Sequence, residues 1–231
     1  MSRVREAAGG GRAVEVAPER LTGWFDRFGA RHGGIAATSV TSAVVLVRAD
    51  DGATATVTVP FGGLPAAATG EFDGAELDAL HALHAHLAMP RRTGLILVRL
   101  GGFSVGIAVG GVVELSSTGV RQVHGRNKKG GSSSGRFARR REGQVRVALN
   151  AAADTVARVL LPLAGSLDAL VLGGDATALE ELRADRRLTA LLARAEPRVL
   201  DVPEPRRAVL DEAAGRARAV EVVVCGADSS P

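Results

Sequence analysis

The chain has 231 residues with 46% hydrophobic content, enough for one large domain or two small ones with packed cores, and its 29 Lys and Arg nearly balance 25 Asp and Glu. One cysteine, Cys225, excludes an intrachain disulfide and a cysteine-rich metal centre. No apolar run approaches the ~18 to 20 residues of a bilayer span, and the start, MSRVREAAGGGRAVEVAPER, lacks the apolar stretch of a secretory signal. A soluble, cytoplasmic protein is expected.

Residues 1–13, rich in glycine and charge, are expected to be disordered. Leu21, Trp24, Phe25 and Phe28 recur at helical spacing, and His32-Gly33-Gly34 suits the stop of that helix. The segments SAVVLVR and TATVTVPF flank Asp50-Asp51-Gly52, the pattern of a hairpin. Asp73 is expected to cap the next helix with Glu76 three residues on, ahead of Leu77, Leu80, Leu83 and Leu87, and Pro90 closes it. Residues 14–90 therefore read as a small α/β unit. His81, His84 and His86 crowd this helix, but no carboxylate or cysteine is placed to complete a shell, so no metal is assigned.

From Thr93 the pattern becomes a meander, GLILVRL, FSVGIAV and VVELSST, broken by Gly101-Gly102 and Gly110-Gly111. A basic loop is expected over 121–136. A long helix follows, with Phe137, Val145, Ala148, Ala152, Thr155, Val156 and Val159 in a stripe of 3.6-residue period. LDALVLGG then reads as a buried strand, ATALEELRAD as a helix, PRVLDV as a strand and RAVLDEAAGRARA as a last helix. Cys225, after Val222-Val223-Val224, reads as a small hydrophobe in a terminal strand. A meander followed by alternating helices and strands predicts an α/β (α+β) fold with a mixed sheet of the ribonuclease H type, over residues 91–231.

Charge is most lopsided between residues 121 and 146. Arg121, Arg126, Lys128, Lys129, Arg136, Arg139, Arg140, Arg141 and Arg146 stand against Glu142 alone, around the run Gly130-Gly131-Ser132-Ser133-Ser134-Gly135. A field of that sign attracts polyphosphate and gives binding that weakens with salt. By composition alone the same run also suits a flexible linker or a solvated face.

The order of these features carries a resemblance. Gly125-Arg126-Asn127-Lys128-Lys129-Gly130-Gly131 followed by Arg136-Phe137-Ala138-Arg139 resembles the catalytic domain of archaeal and eukaryotic class I translation release factors, and Leu170-Val171-Leu172-Gly173-Gly174 looks like that domain's next strand. The likeness is greater to the VLRF peptidyl-tRNA hydrolases of ribosome-associated quality control, in their stand-alone actinobacterial branch, with Trp24 and Phe28 near the start and Arg-Phe-Ala-Arg-Arg-Arg after the loop. It covers residues 93 to 215 well and the N-terminal unit more loosely.

The resemblance implies hydrolysis of the ester between nascent peptide and tRNA on stalled or obstructed large ribosomal subunits. Its partners would be rRNA and peptidyl-tRNA, with no cofactor, metal, membrane or DNA. Gly130, Gly131, Ser132, Ser133 and Ser134 would form the catalytic tip, since glycine passes a crowded wall and backbone N–H groups can donate to a developing oxyanion. Arg121, Arg126, Lys128, Lys129, Arg136, Phe137, Arg139, Arg140, Arg141 and Gln144 would contact RNA, the three consecutive arginines along the exposed face of their helix. Release factors place a glutamine near the paired glycines, where this chain has serines; a hydroxyl lacks the reach and second donor of an amide.

Three other readings compete. Gly131-Ser132-Ser133-Ser134-Gly135 matches the hydrolase elbow G-x-S-x-G, but no apolar strand precedes it and no histidine follows Ser133. A metal-dependent nuclease would need clustered carboxylates; Asp168, Asp175 and Asp201 stand near strand ends, yet GLILVRL and FSVGIAV carry none, and solvation or helix capping suits these aspartates better. A ribosome- or tRNA-binding factor without catalysis is the strongest alternative, given the missing glutamine.

Overall fold

Hydrophobic alternation builds the first of two sheets in the computed structural model of the chain, which describes residues 4–7, 10–73, 77–120 and 134–226, with the backbone alone at 77–79, 120, 134–142 and 144. The first compact unit comprises Met1–Met89 with Arg218–Pro231, and the second Pro90–Ala217. In the first, β1 (Val4–Glu6), β2 (Arg12–Val16), β3 (Ile35–Val40), β4 (Val44–Ala49), β5 (Thr54–Thr58), β6 (Gly70–Asp73) and the chain's last strand, β12 (Val220–Cys225), form one sheet in the order β1-β2-β12-β5-β4-β3-β6. Val45, Val47 and Ala49 of β4, Ala55 and Val57 of β5, and Val220 and Val222 of β12 share one buried face. Helices α1 (Leu21–Arg31) and α2 (Leu77–Ala88) cover it with Leu21, Phe25, Phe28, Leu80, Leu83 and Leu87. The β4–β5 turn is the expected one, with Gly52 at φ +86°, a conformation that favours a residue without Cβ. His32 Nδ1 donates to Asp51 Oδ2 at 2.7 Å, so the end of α1 is tied to that turn.

Three features of this unit differ from expectation. Residues 4–6, and residues 12 and 13 at the start of β2, are in strands within the span 1–13 expected to be disordered, and Arg5 forks onto Glu221 at 2.6 and 2.8 Å. Asp73 ends β6, and 74–76, where the helix it was expected to cap would begin, lie outside the described residues. The terminal strand, grouped by sequence with the second region, pairs antiparallel with β2 and β5 of the first. Such pairings join residues far apart in the chain, Val220 with Val16 and Val222 with Val57, and leave no local periodicity to detect.

The second unit is a mixed five-stranded sheet. β7 (Arg92–Arg99), β8 (Gly102–Val109) and β9 (Val112–Val120) form the expected antiparallel meander. β10 (Ala169–Gly174) joins β7 in parallel, and β11 (Ala195–Leu200) joins β10 in parallel, giving the order β11-β10-β7-β8-β9. Both faces are covered, which is why the β7 and β10 segments read as continuous apolar runs. Ile96 and Val98 face α3 (Ser134–Leu160), α4 (Ala176–Arg183) and α5 (Thr189–Leu192); Leu95 and Leu97 face α6 (Arg207–Ala217). Between β8 and β9 the register slips by one residue, with Ala108 opposite Val113 and Ile107 opposite Leu115, so Glu114 is the extra residue of a bulge.

The buried positions of α3 include Ala148, Leu149, Ala152, Ala153, Val156, Val159 and Leu160, with Thr155 also buried and Val145 partly packed. These match the predicted stripe over their range; Phe137 belongs to the positions of which only the backbone is described. The segment Val145–Ser166 is long and apolar enough to cross a bilayer by length and composition alone. Its apolar side is spent on the sheet, and Arg146, Asn150, Asp154 and Arg158 stand exposed on the other, as for an amphipathic core helix.

Candidate nucleic-acid interface

Strand β9 runs directly into the basic segment, and α3 returns from it. Because β9 lies parallel to β10 and α3 links the two, the helix runs antiparallel to β9 and its start lies beyond the strand's end. The contact of Arg158 Nη2 with Ser117 Oγ at 3.1 Å sets the register of helix against strand. Toward its N-terminus, the last described buried position of α3 is Ala148; the helical backbone continues to Ser134, about 20 Å further at 1.5 Å per residue. Arg146 and Val147 on that stretch are exposed.

Arg121, Arg126, Lys128, Lys129, Gly130, Gly131, Ser132 and Ser133 lie outside the described residues. Ser134, Arg136, Phe137, Arg139, Arg140, Arg141 and Gln144 all sit on the helical backbone of α3, in its first three turns, their side chains outside the description. The loop expected to extend to residue 136 thus gives way to helix at Ser134, two residues earlier; the following Arg-Phe-Ala-Arg-Arg-Arg, rich in straight-chain residues and alanine, favours helix back to that point. Gln144 lies roughly 15 Å along the axis from Ser134, which separates it from the serine run by the length of those turns.

The later half of α3 is held rigidly. Arg187 Nη2 donates to Asp154 Oδ1 of α3 at 2.8 Å and to Asp185 Oδ2 at 2.6 Å, bridging the helix to the turn between α4 and α5. The Arg187 guanidinium holds the Asp185 carboxyl below its ordinary range, chiefly by side-chain hydrogen bonding, and the two carboxylates raise Arg187 further above its own. Thr155 Oγ1 donates to the Ala151 carbonyl at 2.8 Å, satisfying a hydroxyl buried on the sheet side. Near the end of β9, a methyl at Gly119 would overlap the ring of Phe103, its cross-strand partner, so the far end of the ring lies against bare backbone there.

Two of the three carboxylates that a nuclease would use are engaged otherwise. Asp175 at the end of β10 pairs with Arg99 Nη2 at 2.9 Å and accepts from the Leu100 N–H at 3.3 Å, and it makes no side-chain cap on α4. Asp168 Oδ2 accepts from the Arg92 N–H at 2.7 Å, tying the start of β7 to the approach to β10. Asp201 accepts from Arg216 Nη1 at 2.7 Å through its backbone carbonyl. Asp168, which is exposed as the expected solvation has it, and Asp175, which stands at the N-cap position of α4 without a side-chain cap, both fasten strand ends to neighbouring segments. Among the described residues no three His, Cys, Asp or Glu converge as a metal site. On α2, His86 Nε2 donates to the Pro60 carbonyl at 2.9 Å, and His81 is exposed.

Sequence reading singled out neither Arg158, Arg187 and Arg207 nor the serines beneath two of them. Arg207 Nη1 donates to Ser116 Oγ at 2.8 Å, across the sheet from the Arg158 contact with Ser117. No local pattern marks these residues, because the partners lie tens of positions apart.

The family model of the Actinobacteria/chloroflexi VLRF1 release factor matches residues 91–223. That span takes in the whole second unit from β7 to α6 and the first four residues of β12. No curated protein matches the chain.

Proposed function

Because the chain belongs to the VLRF1 release factor family, we propose that this translation factor is a peptidyl-tRNA hydrolase, freeing nascent peptide on stalled or obstructed large ribosomal subunits in cytoplasmic ribosome-associated quality control. The observation that supports the reading is what stands on either side of the Gly-Gly segment in the chain: β9 before it, and after it a helix whose later half packs in the core and whose backbone at Arg136, Arg139, Arg140 and Arg141 lies about 10 to 18 Å beyond the last described buried position. A basic tip on a stiff support suits entry into a cavity whose walls are supplied by RNA.

In this reading water attacks the ester carbonyl carbon, the carbonyl oxygen becomes an oxyanion, and the tRNA 3′ oxygen leaves with a proton. Backbone N–H groups at Gly131, Ser132 and Ser133 donate to the developing charge, and Gly130 and Gly131 keep the tip slim. A serine hydroxyl donates or accepts where release factors offer a glutamine amide. Lys128, Lys129 and the arginines hold rRNA and tRNA phosphates without reading sequence.

The missing glutamine favours a second reading, a ribosome- or tRNA-binding factor that leaves the ester intact. Release of labelled peptide from large subunits carrying peptidyl-tRNA separates the two. The hydrolase reading expects release by the wild type and at least tenfold slower release by Gly130→Ala/Gly131→Ala at unchanged binding. Equal rates for wild type, variant and buffer, with binding intact, select the binding factor.

A further inference from the structure

The edge strand β9 carries cations on both faces of its sheet, and neither belongs to the basic loop. Pairing with β8 fixes the alternation: Ser117, opposite Val105, faces α3, and Ser116, opposite Gly106, faces α6. On the first face Arg158 Nη2 donates to Ser117 Oγ at 3.1 Å; on the second Arg207 Nη1 donates to Ser116 Oγ at 2.8 Å. The bulge at Glu114 makes this possible, since without the extra residue Ser116 and Ser117 would exchange faces.

A hydroxyl is a neutral partner that orients a guanidinium without cancelling its charge. Arg158 is exposed, and among the described residues it makes no ion pair. Arg207 shares Asp211 at 3.0 Å but keeps 55% of its side chain exposed. Arg146, also exposed, lies about 18 Å from Arg158 along α3 on the side of the loop. Ser117 is about 10 Å from the last residue of β9, so the arginine pair sits close to where the basic segment begins. Glu114, at the bulge, ends the cationic stretch on the side away from the loop.

The geometry points to a second RNA contact on this edge: a phosphodiester backbone that leaves the basic loop, runs along β9 and is straddled by Arg158 and Arg207, with Arg146 reaching it from α3. Charge complementarity selects the occupant. Arg158, held by Ser117 through Nη2, and Arg207, held by Ser116 through Nη1 and by Asp211 through Nε, are both oriented by their partners, and the donors each has left match phosphate oxygens. The contact is sequence-independent and gives the protein a second point of purchase, which fixes the direction in which the loop is aimed. This site rests on the RNA-binding part of the proposed function and is separable from the ester chemistry.

The test uses the full chain with a fluorescent 20-nucleotide single-stranded RNA and, in parallel, purified large ribosomal subunits, titrated across salt concentrations. Arg158→Gln/Arg207→Gln, which removes charge but keeps donors for the serines, is expected to bind both probes about tenfold more weakly and to flatten the log–log salt dependence by one to two, at roughly 0.7 to 0.9 per phosphate contact. Arg158→Lys/Arg207→Lys, which keeps the charge, is expected to retain most of the affinity, and thermal unfolding of both variants checks the fold. Unchanged affinity and salt slope in the Gln variant would overturn the site, as would equal losses in the Gln and Lys variants. An Arg139→Glu/Arg140→Glu/Arg141→Glu variant runs alongside. If that variant loses RNA while the Gln pair binds normally, the site on β9 falls and the loop reading stands; if neither loses RNA, both fall.

Discussion

The two ends of α3 are made for opposite purposes. From Ala148 to Leu160 the helix spends its apolar stripe on β7 and β8, and Arg187 clamps its outer side through Asp154. From Ser134 to Gln144 the same helix carries Arg136, Arg139, Arg140 and Arg141 with Glu142 as the only acid. Stability is concentrated at one end and charge at the other. If the basic end acts as proposed, the packed end would aim it, and changes at the two ends should register in different measurements.

The largest effect is expected at the buried end. Val156 has no exposed surface and sits among Val105, Ile107 and Leu170. Val156→Asp would bury a carboxylate without a partner, costing about 4 kcal/mol or more. Urea unfolding followed by circular dichroism should show the second unit losing most of its stability, and RNA binding should fail with it. A variant that stays folded but no longer binds RNA would show that the two ends are not divided in this way.

The complementary change is Arg139→Glu/Arg140→Glu/Arg141→Glu. Binding to large subunits at physiological salt should fall at least 100-fold, about 2.7 kcal/mol, with a smaller salt slope, while the unfolding midpoint stays near that of the wild type. Retained binding would remove the electrostatic basis for the tip. A large drop in the unfolding midpoint would show instead that these arginines belong to the packed end of the helix.

How far the sequence revealed this division depends on the range of the interactions involved. The meander, the α3 stripe and the β10 run were legible because their periods are local: GLILVRL alternates between α3 and α6, and Ala148, Ala152, Val156 and Val159 keep the helical repeat. The basic segment was legible from composition, and the family resemblance from the order of its motifs. Hidden from inspection were β3 and β6, whose IAATSV and GEFD carry too little alternation, and the place of β12, which was expected as a terminal strand but joins the first unit by pairing with Ala13 and Val57 across the length of the chain. The same holds for Arg158 and Arg207, whose serines lie 41 and 91 positions away. Asp73 shows the same limit: its local capping pattern gave no sign of the strand pairing with Ala37.

Between the extremes lies the junction at Gly119. Its cross-strand partner Phe103 is buried and packs its ring against the glycine backbone, so Gly119→Ala forces the ring or the strand to move. A loss of about 1–3 kcal/mol is expected. Because Gly119 is one residue from the end of β9, next to the basic segment in the chain, peptide release or RNA affinity should also change by severalfold, which a purely internal packing change would not give. An unchanged unfolding midpoint would mean that the junction is looser than the ring contact implies.

The smallest effect tests the clamp on the outer side of α3. The Asp185 carboxyl titrates below its ordinary range because Arg187 donates to its charged form. Its unfolded counterpart, with a pKa of about 3.9, binds a proton first as pH falls. The stabilising contribution is therefore fully present above that value, and it is lost as the pH drops through the lower, folded one. Asp185→Asn removes this link, so its unfolding midpoint should match the wild type's more closely at pH 3 than at pH 7, where the wild type is the more stable. Since the pair is well exposed, screening by 1 M salt should shrink the difference at neutral pH. If the gap instead widens on acidification, the sign is wrong and Arg187 holds α3 through Asp154 alone.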